Sequence, residues 1–177
     1  MKKIVCLVGE SGSGKSTIAQ LLKEQHGHTS IPSYTTRSPR HSEEKGHVFV
    51  SQKEFDAIRA DLVAYTKFSG AEYGATRQQI EQHDIYIIDP AGIDGLAKHI
   101  GRENMTAIYI RVDTAERHRR MEADRGPEKA KERIIHDIGK FAGFDDYDIA
   151  LNNRTRNDLE RNVVLVHELI EFEKEQP

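Results

Sequence analysis

Gly9-Glu10-Ser11-Gly12-Ser13-Gly14-Lys15-Ser16-Thr17 brings together, in one short run, the groups that hold a polyphosphate. The spacing is G-x-x-x-x-G-K-[ST], and it follows the apolar run Ile4 to Val8, as a phosphate loop must. Gly9, Gly12 and Gly14 let successive backbone amides converge on a phosphate at the positive end of a helix. Lys15 then adds a point charge for the β- and γ-phosphates, and Ser16 offers a hydroxyl to Mg²⁺. The expected ATP-binding set is Gly9, Ser11, Gly12, Ser13, Gly14, Lys15, Ser16 and Thr17, with ATP as co-substrate and Mg²⁺ at Ser16. A plain glycine turn before a helix would leave the lysine and the serine unexplained. The motif by itself does not choose among kinases, GTPases and motor ATPases.

A second anion-gripping segment is Ser33-Tyr34-Thr35-Thr36-Arg37-Ser38-Pro39-Arg40. Its two guanidiniums, stiffened by the intervening Pro39, can grip one phosphate through several charge-assisted hydrogen bonds. Two unrelated surface arginines are the bland alternative. A third basic run, Arg117 to Arg133, includes Arg120, Arg125 and Arg133, guanidiniums of the kind that can neutralise phosphoryl charge. The same arginines could instead pair along a solvated helix with Glu116, Glu122, Asp124 and Glu132. Gly126-Pro127 offers a break at the tip of such a lid.

These groups need a scaffold, and β-branched runs alternating with amphipathic segments supply one, in the pattern of βα units around a mostly parallel sheet. Strands are expected at Ile4 to Val8, Ser30 to Tyr34, Ile85 to Ile88, Thr106 to Val112 and Ile149 to Leu151. One helix should start at Lys15, another after the Ser51-x-x-Glu54 capping box, and Asp113-x-x-Glu116 repeats that start signal. Glycines at 46, 70 and 74 break the alternation between Pro39 and Thr76, as in a small mixed insertion. The fold class is therefore α/β, a three-layer P-loop NTPase fold with an insertion at about 35–76 and a helical lid at about 117–135, in a single domain of 177 residues.

The balance of charge excludes a dedicated nucleic-acid binder: net charge is −3, with both signs interspersed. One cysteine, Cys6, suits a reducing compartment, so a cytoplasmic protein without membrane or nucleic-acid partners, monomeric or homodimeric, is expected. Nine histidines include no H-E-x-x-H pair, and His26-x-His28 reads as surface histidines in a glycine loop.

The phosphate loop, the Ser33-x-Thr35-Thr36-Arg37-x-Pro39-Arg40 segment with Glu43 and Gly46 beyond it, Tyr73-Gly74, Asp89 and the Asp148 to Asn153 strand together resemble the guanylate kinase family over most of the chain. The resemblance implies an ATP:GMP phosphotransferase, a nucleoside monophosphate kinase acting on GMP or dGMP. It implies that Arg37 and Arg40 hold the acceptor phosphate with Tyr73, that Glu43 orients those arginines, that Ser33 and Asp89 face the acceptor nucleoside, and that lid arginines, with Arg120, Arg125 and Arg133 as candidates, stabilise the transferring phosphoryl group. Asp89 would also hold a water on the metal; a carboxylate that only caps the next helix is the plain alternative.

Two positions depart from the family pattern. A gap-free match puts Ala64 and Ala75 where the family carries its guanine-reading glutamate and hydroxyl, and His47 replaces a family tyrosine. Tyr65, Thr66, Glu72 and Thr76 are nearby polar substitutes. Two further readings stay open on the sequence: the same chemistry on another nucleotide or ribose 1,5-bisphosphate, and a silent phospho-ligand binding module.

Overall fold

The computed structural model describes residues 2–39, 41–68 and 70–175. Arg40, one of the two expected acceptor arginines, lies outside the described residues.

The first strand, β1 (Ile4–Val8), is buried along its whole length, which is what a strand covered on both faces requires. Ile4, Cys6 and Val8 point into one core cluster, and Val5 and Leu7 into the other. Parallel pairing places β1 between β6 (Ile85–Ile87) and β7 (Met105–Arg111), with β8 (Ile149–Asn152) outside β7, giving the order β6-β1-β7-β8. On the Val5/Leu7 face lie α1 (Lys15–His26), through Ile18 and Leu22, and α7 (Arg156–Glu175), through Val163, Val166 and Ile170. The other face is covered by α4 (Pro90–Ile100), through Ile93 and Leu96.

A second, mixed sheet has the order β3-β2-β5-β4, built from β2 (Ser33–Thr35), β3 (His47–Phe49), β4 (Leu62–Phe68) and β5 (Ala71–Thr76). It packs on α4 through β4. Two short helices flank it, α2 (Gln52–Ala57) and α3 (Arg77–Gln82), each starting in a complete capping box at Ser51/Glu54 and Thr76/Gln79. The segment expected as a strand from Ser30 to Tyr34 divides here. Ser30 makes a single parallel bridge to Ile85, and the chain then crosses into the mixed sheet from Ser33.

The lid is two helices, α5 (Thr114–Arg125) and α6 (Pro127–Phe141), broken where the sequence suggested. Gly126 takes φ 83° and ψ 164°, a backbone open chiefly to glycine, and Pro127 starts the next helix. Asp113 caps α5 by accepting from the Glu116 amide at 2.9 Å.

Candidate active site

The phosphate loop leaves β1 and enters α1 with Gly14 at the N-cap, φ 94°. A glycine cap has no side chain to consume the first-turn amides of α1, so they stay available to an anion. A Cβ on Gly14 would run into Asn153 Nδ2, which donates to Ser13 O at 2.8 Å and ties the loop to the end of β8. Gly12 lies close to α5, where a Cβ would meet Arg117 O at 2.9 Å. The loop is thus clamped from two sides before any ligand arrives.

Lys15 Nζ folds over this loop and donates to Gly9 O at 2.5 Å, Glu10 O at 3.0 Å and Ser13 Oγ at 3.3 Å. All three partners are neutral. Burial pulls the ammonium down to about 8, an effect that Asp137 and Glu10 oppose. A half-buried cation whose direct partners are all neutral has charge left to offer a polyanion. Asp137, itself buried on α6, accepts from Ser11 N at 2.7 Å and lies 3.5 Å from Arg117, which also lies 3.5 Å from Glu10.

Lys15 lines two clefts that meet at it. The first, of about 610 Å³, carries Ser16, Thr17, Arg120, Arg125 and Arg154. The second, of about 240 Å³, runs from Gly9 and Ser11 across to Ser33, Thr66, Tyr73 and Asp89. A wider opening of about 1130 Å³ shares Tyr73 and Arg133 with the second cleft and Arg125 with the first, and adds Arg37. Donor-side and acceptor-side candidates therefore line connected space.

The acceptor-side candidates come from separate elements. Arg37 is held in a fork by Glu44, at 2.8 and 3.1 Å, and lies over the Phe49 ring at 5.2 Å. Hydrogen bonding to Glu44 raises its already high pKa, and Tyr73 adds to the effect. Glu43, expected in the orienting role, is exposed; the turn from His41 to Glu44 sends the next carboxylate inward instead. Ser33 is buried at the cleft wall. Asp89 does two things at once: its Oδ1 caps α4 through Gly92 N at 2.8 Å, and its Oδ2 pairs with Lys140. Both carboxylate oxygens are engaged there by this chain's own groups.

The lid arginines divide. Arg120 is a fastener, donating to Gly12 O at 3.3 Å, Asn153 O at 2.9 Å and Arg154 O at 2.7 Å while pairing with Glu116. Arg125 pairs with Asp124 at 2.8 Å and lines the first cleft and the wide opening. Arg133 lies over the Phe68 ring at 4.6 Å and faces the acceptor side.

Ala64 and Ala75 pair with each other across β4 and β5 and are buried in the core, so neither faces a ligand. Glu72 is bound by Tyr65, Gln52 and Arg59, and Thr76 caps α3. Of the polar substitutes, Thr66, directly opposite Tyr73 in register, lines the cleft together with Tyr65. The sequence reading singled out Arg133 on α6 but missed the rest of its inward stripe, where His136, Asp137 and Lys140 line the second cleft with it. Its signal was legible: polar residues at i, i+3, i+4 and i+7, where a helix ordinarily buries apolar ones, while Ile135 and Ile138 face out.

A mostly parallel sheet with the phosphate loop at its first strand end, a two-helix lid and a separate mixed sheet define a P-loop phosphotransferase. The guanylate kinase family profile matches residues 1–173. Guanylate kinase of Rhizobium meliloti is 30% identical over 93% of this chain and 80% of that protein, and that of Homo sapiens is 31% identical over 64% of this chain and 62% of that protein. The crystal structure of guanylate kinase from Anaplasma phagocytophilum superposes with a TM-score of 0.68 at 22% identity, covering 98% of this chain and 87% of that one. Shikimate kinase from Bacteroides thetaiotaomicron shares the fold at a TM-score of 0.52 and 16% identity, covering 96% and 98%. The chain belongs to the guanylate kinase family.

Proposed function

We propose that this chain transfers the γ-phosphoryl group of MgATP to GMP or dGMP, yielding ADP and the nucleoside diphosphate. The observation that carries this reading is the position of Lys15, which lines both the cleft at the α1 N-terminus and the cleft leading to Ser33, Tyr73 and Asp89. A donor triphosphate seated on the loop would present its γ-phosphorus toward the second cleft.

In that arrangement the amides of Gly12 to Ser16 and the Lys15 ammonium bind the donor phosphates. Arg37, held in line by Glu44, and Tyr73 bind the acceptor phosphate, with Arg40 as its expected second guanidinium. An acceptor phosphate oxygen forms the new bond to the γ-phosphorus as the bond to the β–γ bridging oxygen breaks, and ADP leaves. No covalent enzyme intermediate is needed, because positioning and charge neutralisation supply the rate. The Ser16 hydroxyl is exposed at the cleft wall and is a hard oxygen donor of the kind Mg²⁺ accepts while keeping most of its waters. When bound near Ser16, Mg²⁺ would supply charge neutralisation to the phosphates.

Arg125 and Arg133 approach the transferring group as the lid of about 117–135 closes over the insertion of about 35–76, excluding water. Arg120 serves this step indirectly, by fastening α5 to the loop. Ser33 and Thr66 face the acceptor nucleoside, and the burial of Ala64 and Ala75 removes those two positions from the question of base choice. Among the described residues, no helix is long and apolar enough to cross a membrane.

An ADP-release assay across GMP, dGMP, AMP, CMP, UMP, dTMP and ribose 1,5-bisphosphate tests the assignment. The expected outcome is turnover on GMP and dGMP at least tenfold above every other acceptor. A preference for any non-guanine acceptor would overturn the choice of substrate, and tight MgATP binding without turnover on any of them would overturn the enzyme.

A further inference from the structure

At the far end of α1 from the phosphate loop, two histidines separated by most of the chain meet. Gly27, φ 75°, ends the helix in a left-handed turn, with its own amide on Lys23 O and that of His28 on Leu22 O. The turn drives the His28 ring under α7, where it is 2% exposed rather than at the surface as the sequence suggested. α7 presents His167 and Glu171, four residues apart and so on one face. His28 Nε2 lies 2.8 Å from His167 Nδ1 and 3.9 Å from Glu171 Oε1, and one ligand atom from each residue fits within 4.8 Å of the others.

We infer that His28, His167 and Glu171 form a binding site for a divalent transition-metal ion of the zinc class, stapling the C-terminal helix to the loop after α1. The donor set is two imidazole nitrogens and one carboxylate oxygen, which suits zinc and not Mg²⁺, whose preference is for oxygen throughout. Glu171 stands at the solvent edge, leaving a fourth position for water.

Behind His28 lies a carboxylate, beyond direct hydrogen-bond distance but on the side where metal-bound histidines commonly carry one. His28 Nδ1 faces Asp84 Oδ2 at 3.9 Å, and Asp84 is fixed by Thr29 N at 2.9 Å and Lys2 Nζ at 2.6 Å. The His26 ring stacks on His167 with centroids 3.8 Å apart and planes 13° apart, which sets that ring's orientation.

Bonds of about 2.05 Å at a tetrahedral angle need ring nitrogens about 3.3 Å apart, so binding must open the present contact by about half an ångström. His167 and Glu171, on the outer helix, can supply that movement. Lys174, now 2.9 Å from Glu171 Oε1, keeps a second carboxylate in Asp84 Oδ1 at 3.5 Å when the ion displaces it. The 12 residues of α1 at 1.5 Å each put the site roughly 18 Å from Lys15, so its effect is on stability and not on transfer.

The test uses the untagged full chain, stripped with a chelator and free of nucleotide, titrated with Zn²⁺ by calorimetry and with Co²⁺ by visible absorption. One Zn²⁺ per chain is expected, with Tm raised by roughly 5–10 °C at a hundredfold excess over Kd. Tetrahedral Co²⁺ bands should appear. His167→Gln and Glu171→Gln should each weaken binding by roughly tenfold or more and remove those bands. Glu171 is solvent-facing, so its variant folds even if substitutions at buried His28 do not. A Kd weaker than roughly 100 μM, or an affinity that both variants leave unchanged, overturns the site and leaves a hydrogen-bonded histidine pair.

Discussion

In the proposed donor cradle the candidate groups come from one unbroken run, Gly9 to Thr17, and most of them are backbone amides; on the proposed acceptor side they come from β2, the loop after it, β4, β5, the start of α4 and α6. The cradle is clamped by Asn153 and α5 before any ligand is present. Arg37, by contrast, owes its direction to side-chain and loop contacts, chiefly the fork of Glu44 on the neighbouring turn, with Ser38 O at 2.8 Å and the Phe49 ring beside it. A site made of backbone is fixed by local conformation, whereas one made of side chains from many segments holds only as well as its supporting contacts. The two sides should therefore respond differently to substitution.

The largest effect belongs to the donor side. Lys15→Met should lower kcat by about a thousandfold or more with little change in Tm, since the ammonium's present partners are neutral groups. Steady-state kinetics with a melting curve decides it, and a loss under tenfold would remove Lys15 from the transfer step. On the acceptor side, Arg37→Met should cost about a hundredfold in kcat/KM for GMP. Glu44→Gln should cost only about tenfold, mostly as KM, because the guanidinium remains but loses its fixed direction. If Glu43→Gln proved the more damaging of the two, the orienting role would return to Glu43.

pH separates the two regions further. Burial holds Lys15 down at about 8, so the free enzyme loses this proton as pH rises through that value. kcat/KM for MgATP should then fall about tenfold per pH unit above it, an alkaline limb measurable at saturating GMP. The smallest effect concerns stability of the mixed sheet. Hydrogen bonds from Tyr65, Gln52 and Arg59 pull Glu72 from 4.5 to about 2. A depressed carboxylate stabilises the fold above its unfolded value and loses that contribution as pH falls toward the folded one. Between pH 4.5 and about 2, the wild-type Tm should therefore fall more steeply than that of Glu72→Gln. Parallel slopes would show that Glu72 contributes nothing to acid stability.

Local signals located the elements closely. The limits of β1, the start of α1 at Lys15, the capping box at Ser51/Glu54, the Asp113 cap and the break at Gly126 were all legible, because each rests on residues within a few positions of one another. Where the chain crosses from the parallel sheet to the mixed one was not, since Ser30 to Tyr34 reads as a strand in either. Gap-free matching put Ala64 and Ala75 at the base, but strand pairing turns both into the core and brings Thr66 to the cleft.

Taken alone, the amino-acid order determined the phosphate cradle and the layered α/β scaffold behind it, because glycine conformations, caps and apolar periodicity act over short stretches of chain. Which carboxylate grips Arg37, how α6 turns Arg133, His136, Asp137 and Lys140 toward the cleft, and how His28 comes to lie against His167 were decided by tertiary packing. Those contacts join residues far apart in sequence, and such neighbours are set by how whole elements dock.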